Sequence, residues 1–248
     1  STVAWAAQCS VRPTAKTIYA VDVYIQLLQN YNIFSSLDRC WVLGVGTSTS
    51  AAVSIVNPTS TAITAVNSPT FTAYQGYKGG SPAYLKTGYN FSSSSVTYKQ
   101  DTAFISFYCR TSLNAGGVDF GGNDGVINSS GNSTVLNISN GANQSNTWCN
   151  SLHNLLVSNS TTVGLYVVEK TTSTTASVWI NSTSISSGGT VISTGLPNAE
   201  AYLCAEDDRG TAINFMARQY SLLAIGNGTI NQANWLTCVN KLKFYFNW

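Results

Sequence analysis

Charge is what this chain has least of. Lys, Arg, Asp and Glu together make up 9% of its 248 residues, against about 25% in an ordinary globular protein. The net charge is +2. Tracking a phosphate backbone takes a clustered basic face, so no nucleic-acid partner is expected. There is a single histidine, His153, among leucines. Without a paired nucleophile it reads as a packed or surface side chain rather than a base. No apolar run approaches the roughly 18 residues of a membrane-spanning helix, so no membrane insertion is expected. The first residues hold no basic stretch before an apolar one, so no leader is read there.

What is present instead is Ser, Thr, Asn and Gly, with 44% apolar and 11% aromatic residues. That apolar content can build a core and argues against disorder. The polar residues make a hydrated surface without a strong field. Six cysteines, Cys9, Cys40, Cys109, Cys149, Cys204 and Cys238, lie far apart with no CxxC pair, so zinc and dithiol-exchange readings fail. Several sit inside apolar strand-like or helix-like runs, where free cysteine serves as a small core residue. At least four free thiols are expected.

The hydrophobic period divides the chain. Ile18, Val21, Ile25 and Leu28 recur every three or four residues, which predicts a helix over about 14–30, with Pro13 at its first position. From Asp38 the period becomes two. Strands are predicted at Cys40 to Val45, Ala51 to Val56, Thr102 to Arg110, Val163 to Lys170, Ala176 to Ile180, Tyr202 to Glu206, Ile213 to Met216 and Tyr220 to Ile225. Asn181-Ser182 marks a hairpin. The Gly-, Asn- and Ser-rich stretch 121–150 reads as long loops around short strands such as Val135 to Ile138. Trp235, Leu236, Val239, Leu242 and Phe246 return to helical spacing behind Asn231, a candidate N-cap. Many strands separated by turn signals predict a mainly β, two-sheet antiparallel jelly-roll sandwich with an N-terminal and a C-terminal helix. The expected division is a helical segment over 1–37 and a jelly roll over 38–248.

Catalytic constellations each lack a member. Gly44-Val45-Gly46 follows a strand, but no helix-opening glycine and no acid about 20 residues on complete a dinucleotide site. There is no GxSxG elbow. Sandwich glucanases need acids alternating along one strand. Glu206-Asp207-Asp208 is consecutive and precedes Gly210, so it reads as a turn. Gly117 to Gly125 offers oxygens, but not at calcium-loop spacing. No catalytic residue, no metal site and no cofactor is assigned. The candidate glycan-binding residues are Asn123, Asp124 and Trp148 in the polar stretch, because an indole can stack on a sugar beside polar groups.

The order of segments resembles a known family. A helix is followed by Ser36-Leu37-Asp38-Arg39-Cys40-Trp41-Val42-Leu43, then Asn67-Ser68-Pro69-Thr70-Phe71-Thr72, Gly76-Tyr77-Lys78-Gly79-Gly80 and Ala83-Tyr84-Leu85-Lys86-Thr87-Gly88-Tyr89-Asn90. Val178-Trp179-Ile180-Asn181 and Ile225-Gly226-Asn227-Gly228 continue it. This is similar to the concanavalin A-like (LamG-type) jelly-roll domain of tailed-phage and prophage virion proteins. Ser182 stands where the family's hairpin has glycine, and the stretch 121–150 is this chain's own. The resemblance implies no catalytic residues. It implies a non-enzymatic virion component of the tail, fibre or capsid surface. Its expected partners are other virion proteins and further copies of itself, with a host-surface glycan as candidate ligand. A secreted lectin or glycan-active enzyme on the same scaffold is the alternative.

Overall fold

The computed structural model describes residues 1–126, 130–228 and 230–248. Residues 127–129, inside the polar stretch, lie outside the described residues.

The helices are α1 (Thr2–Gln8), α2 (Ala15–Asn30), the short α3 (Ser48–Ala51) and α4 (Gln232–Phe246). The strands are β1 (Leu37–Trp41), β2 (Thr64–Val66), β3 (Thr70–Thr72), β4 (Gly76–Lys78), β5 (Tyr84–Asn90), β6 (Ala103–Cys109), β7 (Phe120–Asn123), β8 (Ser133–Asn137) and β9 (Gln144–Trp148). They continue as β10 (Leu155–Ser158), β11 (Gly164–Lys170), β12 (Thr175–Ile180), β13 (Thr183–Thr190), β14 (Glu200–Leu203), β15 (Glu206–Asp208), β16 (Thr211–Ile213) and β17 (Gln219–Gly226).

Both long helices begin where a side chain can satisfy a free backbone donor. Thr14 caps α2 by accepting from Thr17 N at 3.2 Å. Pro13 therefore lies just before the cap rather than in the first turn. Asn231 caps α4 by accepting from Asn234 N at 3.0 Å. Asn247, in the left-handed region, ends α4.

Two sheets make the sandwich. One runs β13-β12-β11-β6-β17-β4-β3, with β1 also on β17; the other runs β10-β9-β8-β7-β14-β5-β2, with β15 joining β7 and β16. Pairing is antiparallel except β15 on β7. The β12–β13 hairpin turns at Asn181 and Ser182, both at positive φ, the conformation that a two-residue hairpin turn requires.

The main core fills the space between the sheets, and a second layer covers the first sheet. Strand β6 is buried along its whole length because each of its faces has a cover. Phe107 packs on Tyr166 and Tyr220. On the opposite face, Phe104 meets Trp235 of α4 edge-on at 5.4 Å. The Trp235 indole donates to Ser106 Oγ at 2.8 Å, so the buried serine on that face has a partner. Tyr24 of α2 reaches the same tryptophan.

Two strand readings change. Ala51 to Val56 is not a strand: Thr47 caps the short α3 there, and irregular chain follows. The sixteenth strand lies at Thr211–Ile213 rather than at Ile213 to Met216. The stretch 121–150 carries short strands between loops, and three of them, β7, β8 and β9, pair in register. Its Gly, Ser and Asn residues suit strands packed among other polar strands, where neighbouring groups supply hydrogen bonds. All six cysteines are free and buried.

Candidate polar cleft on the second sheet

Strand alternation gives the second sheet two different faces. Leu136 of β8 enters the main core, whereas its neighbour Val135 joins Val118 and Trp148 in a separate small cluster on the opposite face. Val135 and Trp148 are register partners across β8 and β9. One step along, Asn137 pairs with Asn146. Gly121 on β7 lies opposite Val135, where a side chain would run into the Thr134 carbonyl at 2.5 Å.

Two adjoining clefts open on this face. One, of about 210 Å³, is lined by Asn123, Glu206, Asp208, Arg209 and Asn214 among others. The second, of about 180 Å³, is lined by Val135, Asn137, Asn146, Trp148 and again Glu206 and Asn214. Glu206 is their shared wall. It is fully buried, and each carboxylate oxygen accepts from an amide: Asn123 Nδ2 at 2.5 Å and Asn214 Nδ2 at 2.8 Å. Burial pushes its carboxyl above the usual range; the Asn214 and Asn123 amides pull it down, and the nearby Asp208 and Asp207 push it up. Asn214 sits at φ 52°, a left-handed conformation that asparagine tolerates better than most residues.

The acidic triplet is a strand, not a turn. The turn is the next two residues, Arg209 and Gly210, both at positive φ. Glu206 and Asp208 therefore share one face and one cleft. Asp207 points away and holds the hairpin, accepting from Gly210 N at 2.7 Å and Glu200 N at 2.9 Å. Asp208 is held by Arg209 at 2.9 Å, with 56% of the arginine side chain exposed. The arginine's hydrogen bond keeps the Asp208 carboxyl below its ordinary range.

The three glycan candidates separate. Asn123 lies in the first cleft, oriented by Glu206. Trp148 lines the second cleft, but only 8% of it is exposed, too little for a stacking platform. Asp124 lines neither cleft: it clamps the loop, accepting from Asn132 N at 2.6 Å and Asn198 N at 2.8 Å. Asn137, Asn146, Glu206 and Asn214 complete the site. Strand alternation in β8 and β9 could have revealed the first two; Glu206 and Asn214 arrive from about 80 residues away in sequence.

The side-chain oxygens of Asp119, Asn123 and Asp124 in the stretch 117–125 are engaged by the protein. Asp119 forms a buried ion pair with Arg218 at 2.6 Å. His153, exposed on a loop, lines neither cleft.

Chemically, the clefts are an array of amides around one buried carboxylate, with the mostly buried Trp148 and one exposed ion pair. Among the described residues, Asn137 Nδ2, Asn146 Nδ2 and Asn214 Oδ1 form no hydrogen bond within the protein, which leaves two donor groups and an acceptor.

No protein-family model and no curated protein sequence matches the chain. Solved structures do match in fold. Trypanosoma rangeli sialidase in complex with sialic acid aligns at a TM-score of 0.52 and 11% identity, over 85% of this chain and 33% of that one. A mutant of the same sialidase displaying trans-sialidase activity aligns at 0.51 and 9%, over 91% and 39%. A structure of botulinum neurotoxin type C, whose uptake into cells depends upon two ganglioside molecules, aligns at 0.56 and 14%, over 85% and 52%. This chain thus spans between a third and about half of the length of those proteins. At such identities the likeness is one of fold, a β-sandwich.

Proposed function

We propose that the chain is a non-enzymatic glycan-binding β-sandwich, displayed as a structural component of a phage virion. One observation carries the binding half: two adjoining amide-lined clefts that share Glu206 and Asn214. A sugar hydroxyl both donates and accepts, so unengaged amide donors and acceptors in a preset array suit it. A positioning carboxylate behind the amides keeps their orientation. The structural neighbours support this choice of ligand by analogy, since one is bound to sialic acid and another belongs to a ganglioside-dependent toxin. Fold-level analogy is the weaker support.

The non-enzymatic half rests on how the acids are held. Glu206 and Asp208 alternate on one strand face, as a hydrolase pair would. Yet Glu206 is fully buried with an amide on each oxygen, so it presents no free oxygen to a glycosidic bond. Virion display is supported by the segment order and by the nearly uncharged Ser/Thr/Asn-rich composition.

A glycan array with the wild type, N214G and N146A tests the binding half. Asn214→Gly keeps the left-handed backbone while removing the side chain. The expected result is a defined set of glycans bound by the wild type and weakened at least about tenfold in each variant, one lost cleft hydrogen bond being worth roughly that much. No glycan bound, or binding unchanged in both variants, refutes the site. Release of reducing ends from any bound polysaccharide refutes the non-enzymatic half. Antibody labelling of purified particles tests display.

A further inference from the structure

On the helical layer, α1 and α2 form a hairpin with an open groove of about 710 Å³ between them. Val3, Ala6 and Ala7 line it from α1, and Ala15, Ile18 and Tyr19 from α2. Each set recurs at spacings of three and four, so each is one helix face. Three of the six are alanine, which leaves space above the helix backbones. The rim is apolar and open, with Val3 80% and Tyr19 60% exposed. It continues onto α4: Tyr19 meets Tyr245 edge-on at 5.5 Å, and Tyr245 meets Phe244 at 5.5 Å. Phe244 is 79% exposed. Single exposed apolar residues are ordinary, but a contiguous run marks a contact surface.

The charges in the groove suggest what covers it. Asp22 lies at one end, where Thr2 donates to it at 2.6 Å. Arg12 lies in the connection between the helices, at the other end. Among the described residues neither forms an ion pair. Two other cations of the layer are turned onto rings, Lys16 onto Tyr74 and Lys243 onto Tyr108. The groove therefore carries one positive and one negative charge at opposite ends. A two-fold axis across its middle sets Arg12 of each copy against Asp22 of the other, as a self-complementary interface demands.

We propose that this groove is the contact surface of an isologous homodimer, in which the apolar α1–α2 faces and the Tyr19–Phe244 run bury against a second copy while Arg12 and Asp22 pair reciprocally. An anionic lipid surface would call for a net positive face. A purely acidic partner helix would meet Asp22 as a like charge. The inference does not depend on glycan binding.

Sedimentation equilibrium on the full chain tests it, with circular dichroism confirming that each variant is folded. The wild type is expected to dimerise reversibly. R12D and D22R each place two like-charge pairs in the interface and should weaken association at least about tenfold. The double variant R12D/D22R restores opposite charges and should return to within a few-fold of the wild type. Y19S, at an exposed position, should weaken the dimer without altering charge. A wild type that stays monomeric across the accessible range overturns the proposal. So does association in which neither single charge variant differs from the wild type, or a double variant that stays monomeric. Co-sedimentation of the monomer with anionic vesicles, abolished by R12D, overturns it in favour of lipid.

Discussion

Arg218→Ala isolates the tie between the two sheets. The Arg218 guanidinium is fully buried and pairs with Asp119, Nη1 lying 2.7 and 2.6 Å from the two carboxylate oxygens. Its other nitrogens donate to the carbonyls of Leu113 at 3.0 Å and Ser139 at 2.7 Å. Asp119 also accepts from Ile138 N at 2.7 Å and from the Tyr220 hydroxyl. Truncating the arginine leaves a carboxylate buried without its countercharge and strands the carbonyls. Breaking a buried pair in this way costs about 3–5 kcal/mol. For a chain of this size each kcal/mol moves Tm by roughly 2–4 °C, so a fall of roughly 6–20 °C is expected. Urea unfolding followed by tryptophan fluorescence gives the free energy directly. Asp119→Asn alone leaves the cation uncompensated and should be similarly damaging, whereas R218M/D119N removes both charges and should cost clearly less than the sum of the singles. A single-variant loss under about 1 kcal/mol, the range of exposed pairs, would falsify the keystone reading, as would strict additivity.

Other expectations follow from the same structure. Arg209→Ala breaks only the surface pair with Asp208 and should leave Tm unchanged in the same melts. Burial pushes the Asp38 carboxyl up, but hydrogen bonds from the Thr97 and Val96 backbone and from the Thr97 and Tyr89 side chains outweigh it and leave it lowered. Its stabilisation is therefore complete above the unfolded value of about 3.9 and lost as pH falls through the folded one. D38N should flatten the acid limb of stability against pH, and an unchanged limb would contradict this account. Burial raises the thiols, Cys149 to about 11 and Cys40, Cys109 and Cys238 to about 12. The native chain should resist a thiol reagent at pH 8 and release six thiols on denaturation without reductant; fewer would reveal disulfides.

Much of the architecture was legible because it is local. The three-and-four spacing in α2 and α4, the Asn231 cap and the Asn181-Ser182 turn each depend on residues within one or two turns of chain. Backbone geometry alone makes such signals readable. The alternation in β6 is equally local, and together with the other strands and the turn signals between them it predicted a sandwich. The same sequence does not say that both faces of β6 are covered, because Phe104 finds Trp235 about 130 residues later.

The candidate site divides in the same way. Asn123 and Trp148 stood out by type, yet composition could not say that β7, β8 and β9 would pair side by side. The sequence by itself determined the two long helices, the turn at Asn181-Ser182 and the scarcity of charged residues. Only the tertiary structure decided that Asp124 would clamp a loop, that Glu206 and Asp208 would share a cleft, and that Glu206 would hold Asn123 and Asn214. The physical reason is that helices and turns are selected by neighbours along the chain, whereas a cleft is selected by which strands pair. That pairing sets burial and hydrogen-bond partners between residues that sequence spacing leaves unrelated.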